Sequence, residues 1–184
     1  MKKDFYQKKA GKEGYYSRAA YKLMQINKKF RLIDKGDKVL DIGCCPGGWS
    51  QIALEVVGDK GYILGIDLNK PKVKNDKFEF LKVDIEEFET NKKFDVVISD
   101  IAPSTTGVRD LDGEVSYDLS LNSLKIALKV LKKRGNFLVK VFDSDKTKNL
   151  VKLLNKNFSY YRIYKPLASK KSSREVYLIG KNFK

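Results

Sequence analysis

Apolar and polar positions along the chain follow two different periods. Short, nearly continuous apolar runs occur at Lys38 to Ile42, Tyr62 to Asp67, Phe78 to Val83, Phe94 to Asp100 and Asn136 to Phe142. Their length and composition are those of strands buried on both faces. Between them the spacing changes to that of helices. Ser17 to Phe30 brings Ala20, Leu23, Met24, Asn27 and Phe30 near one face, and a second helix is predicted to begin at Gln51 after a glycine-rich turn. Ser116 to Lys133 carries Leu119, Leu121, Leu124, Ala127, Leu128 and Leu131, with Arg134-Gly135 read as its C-cap. A helix over about Lys146 to Asn155 and strands near Tyr160 to Tyr164 and Glu175 to Gly180 complete the pattern. Strands alternating with helices predict a mostly parallel sheet covered on both faces, with ligands at the carboxyl ends of its strands. No repeat or linker interrupts the alternation, so residues 1–184 are expected to form one domain.

Composition narrows the chemistry. The 184 residues are 42% hydrophobic, enough for a substantial core. Apolar runs stay short of the roughly 20 residues a membrane helix requires, and the lysine-rich start lacks the apolar stretch of a secretory signal. A protein of the cytoplasm, without a membrane partner, is expected; in a eukaryote an organelle or the nucleolus would be the alternative. The chain has no histidine and its two cysteines are adjacent, which argues against a zinc site and a disulfide framework and excludes Ser-His-Asp and Cys-His catalysis. Proton transfer is left to Lys, Tyr, Asp or Glu. A net charge of +15 points to a polyanionic partner, although lysine enrichment also follows from genome bias or a hot habitat. Basic residues crowd the first thirty positions, with Tyr6, Tyr15, Tyr16 and Tyr21 among them, and recur at Lys165, Lys170, Lys171 and Arg174. Charge interleaved with aromatic rings suits RNA; core-facing tyrosines on a solvated segment are the simpler account of each ring.

The most informative stretch is Val39-Leu40-Asp41-Ile42-Gly43-Cys44-Cys45-Pro46-Gly47-Gly48-Trp49-Ser50. It reads as strand, glycine turn and helix start, with Ser50 able to cap the helix. Its G-x-x-x-G-G spacing differs from the G-x-G-x-x-G that presents amides to a pyrophosphate, and Pro46 removes one amide. A ligand without phosphates, S-adenosylmethionine, fits better; a tight turn with no ligand is the competing reading. Asp67 ends the second strand, where a carboxylate can accept both hydroxyls of a ribose. Asp41 is expected to orient the loop. Lys140 stands inside an apolar strand between Val139 and Val141, an unusual setting that suggests function; a lysine snorkelling from a strand end is the alternative.

Asp-Ile-Gly-Cys-Cys-Pro-Gly-Gly-Trp-Ser-Gln resembles the cofactor loop of the RrmJ/FtsJ family of RNA 2′-O-methyltransferases, in which Ala-Ala usually replaces Cys44-Cys45. Ser17-Arg18-Ala19-Ala20-Tyr21-Lys22-Leu23, Ser99-Asp100-Ile101-Ala102-Pro103, Val139-Lys140-Val141-Phe142 and Ser173-Arg174-Glu175-Val176-Tyr177 match in order, from about residue 15 onward. The resemblance implies a Rossmann-like methyltransferase fold: a seven-stranded sheet of order 3-2-1-4-5-7-6 whose last strand is antiparallel, with a basic RNA-binding segment at about 1–30. It implies S-adenosylmethionine held by Gly43, Gly47, Gly48, Trp49, Asp67, Asp84, Ile85 and Asp100, with Asp84 on the adenine amine and Ile85 against the ring. It also implies a Lys-Asp-Lys-Glu tetrad of Lys22, Asp100, Lys140 and Glu175. Lys140 would be the general base or the group that orients the ribose oxygen, Asp100 its partner beside the methyl, and Lys22 and Glu175 positioning groups. An isolated lysine titrates near 10.4; a second ammonium and burial would lower that value and two carboxylates would raise it, so the sign stays open. No metal enters this scheme. The compact chain and the Pro-Gly-Gly-Trp-Ser loop lean toward the ribosomal branch of the family, and the expectation is a monomer acting on a uridine of large-subunit ribosomal RNA, within a large-subunit particle. Transfer RNA, an mRNA cap, a small-molecule substrate or an inactive RNA-binding assembly protein are the alternatives.

Overall fold

The computed structural model describes residues 5–103 and 106–184 of the chain. Helices Phe5–Glu13 (α1) and Ala19–Phe30 (α2) precede strand Lys38–Ile42 (β1), helix Gly48–Val57 (α3) and strands Tyr62–Asp67 (β2), Phe78–Lys82 (β3) and Phe94–Ser99 (β4). Helix Arg109–Val130 (α4), strand Leu131–Phe142 (β5), helix Thr147–Asn157 (α5) and strands Phe158–Tyr164 (β6) and Glu175–Phe183 (β7) follow. The seven strands form one sheet of order β3-β2-β1-β4-β5-β7-β6. Strands β3 through β5 pair in parallel and β7 runs antiparallel to both β5 and β6, which makes this the Rossmann-like methyltransferase topology.

Side chains of a strand alternate between faces, so neighbouring residues enter opposite cores. Val39, Ile63, Val96, Ile98, Leu138, Tyr177 and Ile179 face Leu23 and Ile26 of α2 and Trp49, Ile52 and Ala53 of α3. Leu40, Leu64, Val97, Phe137, Val139 and Leu178 face Leu124 and Ala127 of α4 and Leu150 and Leu154 of α5. Central strands therefore read as unbroken apolar runs, whereas the edges β3 and β6 are largely exposed. Packing is tight where β7 crosses Phe158: a Cβ on Gly180 would lie 2.8 Å from its ring carbons. Gly180→Ala is expected to lose about 1–3 kcal/mol by overpacking, read as a lower denaturant midpoint at an unchanged slope.

Three local expectations are corrected. The segment read as a polar loop up to Glu114 is helical from Arg109; residues 104 and 105 lie outside the described part. Asp110 and Asp112 suit the positive end of a helix dipole, and the Asp112 carboxylate accepts hydrogen bonds from Thr106 N and Oγ1 and from Gly107 N. At its other end α4 stops at Val130, so Arg134-Gly135 is no C-cap. Those residues lie in an irregular part of β5, where pairing passes from Phe94↔Leu131 to Val96↔Asn136 and Arg134 takes φ 68°. Ser50 does not cap α3 either. Gly47, at φ 118°, holds that place, and Ser50 Oγ donates to Asp41 Oδ2 at 2.6 Å.

From Phe5 onward the basic segment packs through its aromatics. Ala10, Tyr21 and Ala168 form a small core with Tyr6, Tyr15 and Met24 against it, and the Tyr21 hydroxyl donates to Glu13 at 2.6 Å. Tyr21 is buried, and Tyr6 and Tyr15 are partly so; of the four tyrosines only Tyr16 is exposed. The core-facing account of each ring therefore holds at Tyr21, which offers no free face for a base.

Candidate active site

A cavity of about 450 Å³ opens at the carboxyl ends of the central strands, inside the usual range for small-molecule sites. Ile42, Gly43 and Cys45 line it after β1, Asp67 and Leu68 after β2, Asp84 and Ile85 after β3, and Asp100, Ile101 and Ala102 after β4. Gly43 is required there: its φ is 75°, and a Cβ would sit 2.8 Å from the Ile101 Cα. Two strand-end loops thus meet backbone to backbone and leave the space beside them open. The Asp67 carboxylate is pinned at the rim, Oδ2 accepting from Cys45 N at 2.9 Å and Oδ1 from Asn69 N at 2.8 Å. Each oxygen keeps a second lone pair for a ligand. Asp84 Oδ1 accepts from Glu86 N at 2.9 Å, which fixes the turn that carries Ile85.

Gly47, Gly48 and Trp49 are placed differently from the other proposed cofactor contacts: they do not line the cavity. A Cβ on Gly47 would strike Val73 at 2.5 Å and one on Gly48 the Ser17 hydroxyl at 2.4 Å. Trp49 is buried, donates its indole N–H to Ala19 O at 2.9 Å and lies 5.9 Å from the Tyr177 ring. These three residues seat α3 against the segment leading into α2.

Lys22, Asp100, Lys140 and Glu175 come together beside the cavity. Asp100 follows β4 in parallel register with β5, where Ser99 pairs with Val139, so Lys140 is its neighbour. Lys140 Nζ lies 3.0 Å from Asp100 Oδ1 and also donates to the Asp100 main-chain oxygen, which uses two of its three donors. Lys22, reaching in from α2, pairs with Glu175 at 2.7 Å. Lys22 and Lys140 are 7% and 6% exposed, a depth at which desolvation makes an ion pair a poor source of stability. Residues two apart on a strand share a face, and antiparallel pairing sets Tyr177 opposite Lys140 and Glu175 opposite Phe142. Tyr177 is the member that motif reading passed over. Its hydroxyl donates to Asp100 Oδ1 at 3.2 Å, and the Lys22 ammonium stands 5.7 Å from its ring centre. Burial, then the charges of Asp100 and Glu175, hold the phenol well above its ordinary range, so it acts as a neutral donor that ties the two ion pairs together. The available signal was a tyrosine inside an apolar strand, two residues from Glu175.

Asp41, beneath the glycine loop, is fully buried, and its Oδ1 has no hydrogen-bond partner. Burial pushes the carboxyl up to about 7; the Ser50 hydrogen bond opposes the rise, and the charges of Asp100 and Asp67 add to it. An unfolded aspartate titrates near 3.9. The folded chain therefore binds the extra proton between about pH 4 and 7, and this group lowers stability as pH rises through that window. The stability of Asp41→Asn relative to the original chain should grow from pH 4 to 7 in thermal unfolding; a constant difference would show an ordinary carboxyl. Among the described residues no cluster of three or more His, Cys, Asp or Glu is placed to hold a metal, and no helix is long and apolar enough to cross a membrane.

Residues 15–183 match the family model of the FtsJ-like methyltransferases. The chain is 44% identical to the ribosomal RNA large subunit methyltransferase E of Methanothermobacter thermautotrophicus, over all of this chain and 91% of that one. It is 47% identical to the enzyme of the same name from Methanocaldococcus jannaschii, over 99% and 79% respectively. A crystal structure described as a ribosomal RNA methyltransferase from Plasmodium falciparum superposes with a TM-score of 0.82 at 31% identity, covering 92% of this chain and 98% of that one.

Proposed function

The chain belongs to the FtsJ-like methyltransferase family, and on that premise we propose that it methylates a ribose 2′-hydroxyl of large-subunit ribosomal RNA, at a uridine, with S-adenosylmethionine as methyl donor. One observation carries this reading: Asp100 lines the cavity and at the same time holds the Lys140 amine. The methyl-donor side and the acceptor side of a transfer reaction thereby share one residue.

The residues present fit the donor. Asp67, with a free lone pair on each oxygen, would accept from the two ribose hydroxyls, Asp84 would hold the adenine amine and Ile85 would form an apolar wall for the ring, while Gly43 keeps the backbone clear. Gly47, Gly48 and Trp49 act by positioning the loop. When bound, S-adenosylmethionine supplies an already activated sulfonium methyl. The protein's part is to hold a 2′-oxygen in line and manage its proton. Lys140 would direct its remaining donor or, once neutral, its lone pair at that oxygen, and Asp100, itself held by the Tyr177 hydroxyl, fixes its amine in place. Lys22 and Glu175 shape the ribose side of the site. The two buried ion pairs and the phenol let charge redistribute as the 2′-proton leaves.

The relatives' names specify the ribosomal large subunit as substrate, and the charge of +15 agrees with RNA. We place the enzyme in the cytoplasm as a monomer acting on the large-subunit particle. Transfer of radiolabelled methyl to total RNA, followed by nuclease mapping, tests the whole reading. Label is expected in large-subunit ribosomal RNA at a site resistant to alkaline cleavage; label in transfer RNA, in a cap or on a base would overturn it.

The N-terminal segment is proposed as part of the RNA surface. Lys8 and Lys12 are exposed on α1, whereas deleting the helix would unpack Tyr6 and Ala10. Reversing both charges to Glu should therefore flatten the salt dependence of RNA binding by about 0.7 in log–log slope for each phosphate no longer neutralised, with cofactor affinity unchanged. Identical slopes would remove α1 from the RNA surface.

A further inference from the structure

Strand β6 closes one edge of the sheet, and three of its five exposed positions are aromatic or apolar where edge strands ordinarily carry lysine or proline. Tyr160, Tyr161 and Ile163 are 40%, 37% and 50% exposed, and Arg162 among them is exposed as well. Solubility alone selects against such a strand, so its composition needs another cause. Tyr160 pairs with Lys181, Arg162 with Ile179 and Tyr164 with Tyr177, which puts all three β6 residues on the face that carries α2. On that face the Lys29 ammonium lies 4.6 Å from the Tyr164 ring centre, the Phe30 ring meets the same tyrosine edge-on at 5.2 Å, and Lys181 Nζ donates to Phe30 O at 2.7 Å. No Asp or Glu occurs in residues 27–31, 158–165 or 179–184. The result is a continuous strip of aromatic and basic side chains. It runs about 13 Å from Tyr160 to Tyr164, at roughly 3.3 Å per residue. Tyr164 in turn stands two inter-strand spacings, about 10 Å, from Lys140.

We propose that this strip binds an unpaired stretch of the substrate RNA flanking the methylated nucleotide, a base stacking on Tyr160 and phosphates meeting Arg162 and Lys29. The partner is single-stranded because an exposed ring can stack only on a base that has left its own helix, and RNA because the strip is uniformly cationic and leads to the acceptor side of the site. The proposal rests on the reading of the chain as a ribosomal RNA methyltransferase.

Fluorescence anisotropy with a short oligouridylate, against an RNA duplex of the same length at fixed salt, reads the strip directly. Tyr160→Ala and Arg162→Ala should each weaken oligouridylate binding about fivefold or more, with a smaller loss on the duplex. Tyr160→Phe, which keeps the stacking ring, should bind as the original chain does. In methylation of ribosomal RNA, Tyr160→Ala should raise KM by a similar factor and leave kcat and S-adenosylmethionine affinity within twofold. Unchanged oligouridylate affinity in Tyr160→Ala, or a loss in Tyr160→Phe as large as in Tyr160→Ala, would overturn the proposal. So would sedimentation showing a dimer that Tyr160→Ala dissociates, because the edge would then belong to a second copy of the chain. If the original chain transfers no methyl to ribosomal RNA, the functional reading fails, while oligouridylate affinity still decides the strip.

Discussion

Lys140→Ala is expected to lower the single-turnover rate of methyl transfer by at least 10²–10⁴-fold, the usual contribution of a positioned base, with S-adenosylmethionine and RNA affinity within a few-fold of normal. The side chain is buried and held by Asp100 at 3.0 Å, so on the proposed mechanism its removal would leave the 2′-oxygen without the group that orients or deprotonates it. Arginine should not rescue it, because guanidinium stays protonated and its planar fork does not fit a point donor between a carboxylate and a carbonyl. Lys22→Ala and Glu175→Ala should be weaker and non-additive with it, as members of one unit. The measurement is single-turnover methylation at saturating RNA and cofactor. A Lys140→Ala rate within tenfold of the original would take Lys140 out of the chemistry.

Asp67→Ala should reduce S-adenosylmethionine affinity at least tenfold, since up to two charge-assisted hydrogen bonds of roughly 1.5–3 kcal/mol each are removed. The structure adds a second route to the same effect. Asp67 also accepts from Cys45 N and Asn69 N, so alanine frees the turn after β1 as well. Asn keeps one carbonyl oxygen and the loop hydrogen bond it can accept, and Asp67→Asn should fall between alanine and the original residue. Calorimetry on the folded variants separates the three, and unchanged affinity in Asp67→Ala would refute the assignment.

How much of this was legible in the sequence follows from the range of each interaction. Helix α2 and strands β1 to β4 lie where apolar periodicity put them, because burial on one stripe or on both faces leaves a local signature. The ends of α4 were misread. The acidic residues at 110 and 112 look like loop polarity until they are recognised as the first turn of a helix, and Arg134-Gly135 serves a strand irregularity against Asp95 rather than a helix terminus. The glycine loop was legible as a turn but not in its parts. Gly43 is constrained by Ile101, whereas Gly47 and Gly48 are constrained by Val73 and Ser17, neighbours that no local pattern names.

The chain by itself determined the order of elements, the α/β class, the acidic strand ends and a lysine out of place in an apolar strand, all of which depend on residues within a few positions of one another. Only the tertiary structure decided which of those groups meet. The antiparallel register of β5 and β7 set Tyr177 against Lys140, folding α2 onto that face brought Lys22 to Glu175, and β6, placed last in the sheet, was left with Tyr160 and Tyr161 in solvent. Register and strand order are set by the sum of many distant contacts, and the periodicity of one segment does not encode which segment lies beside it.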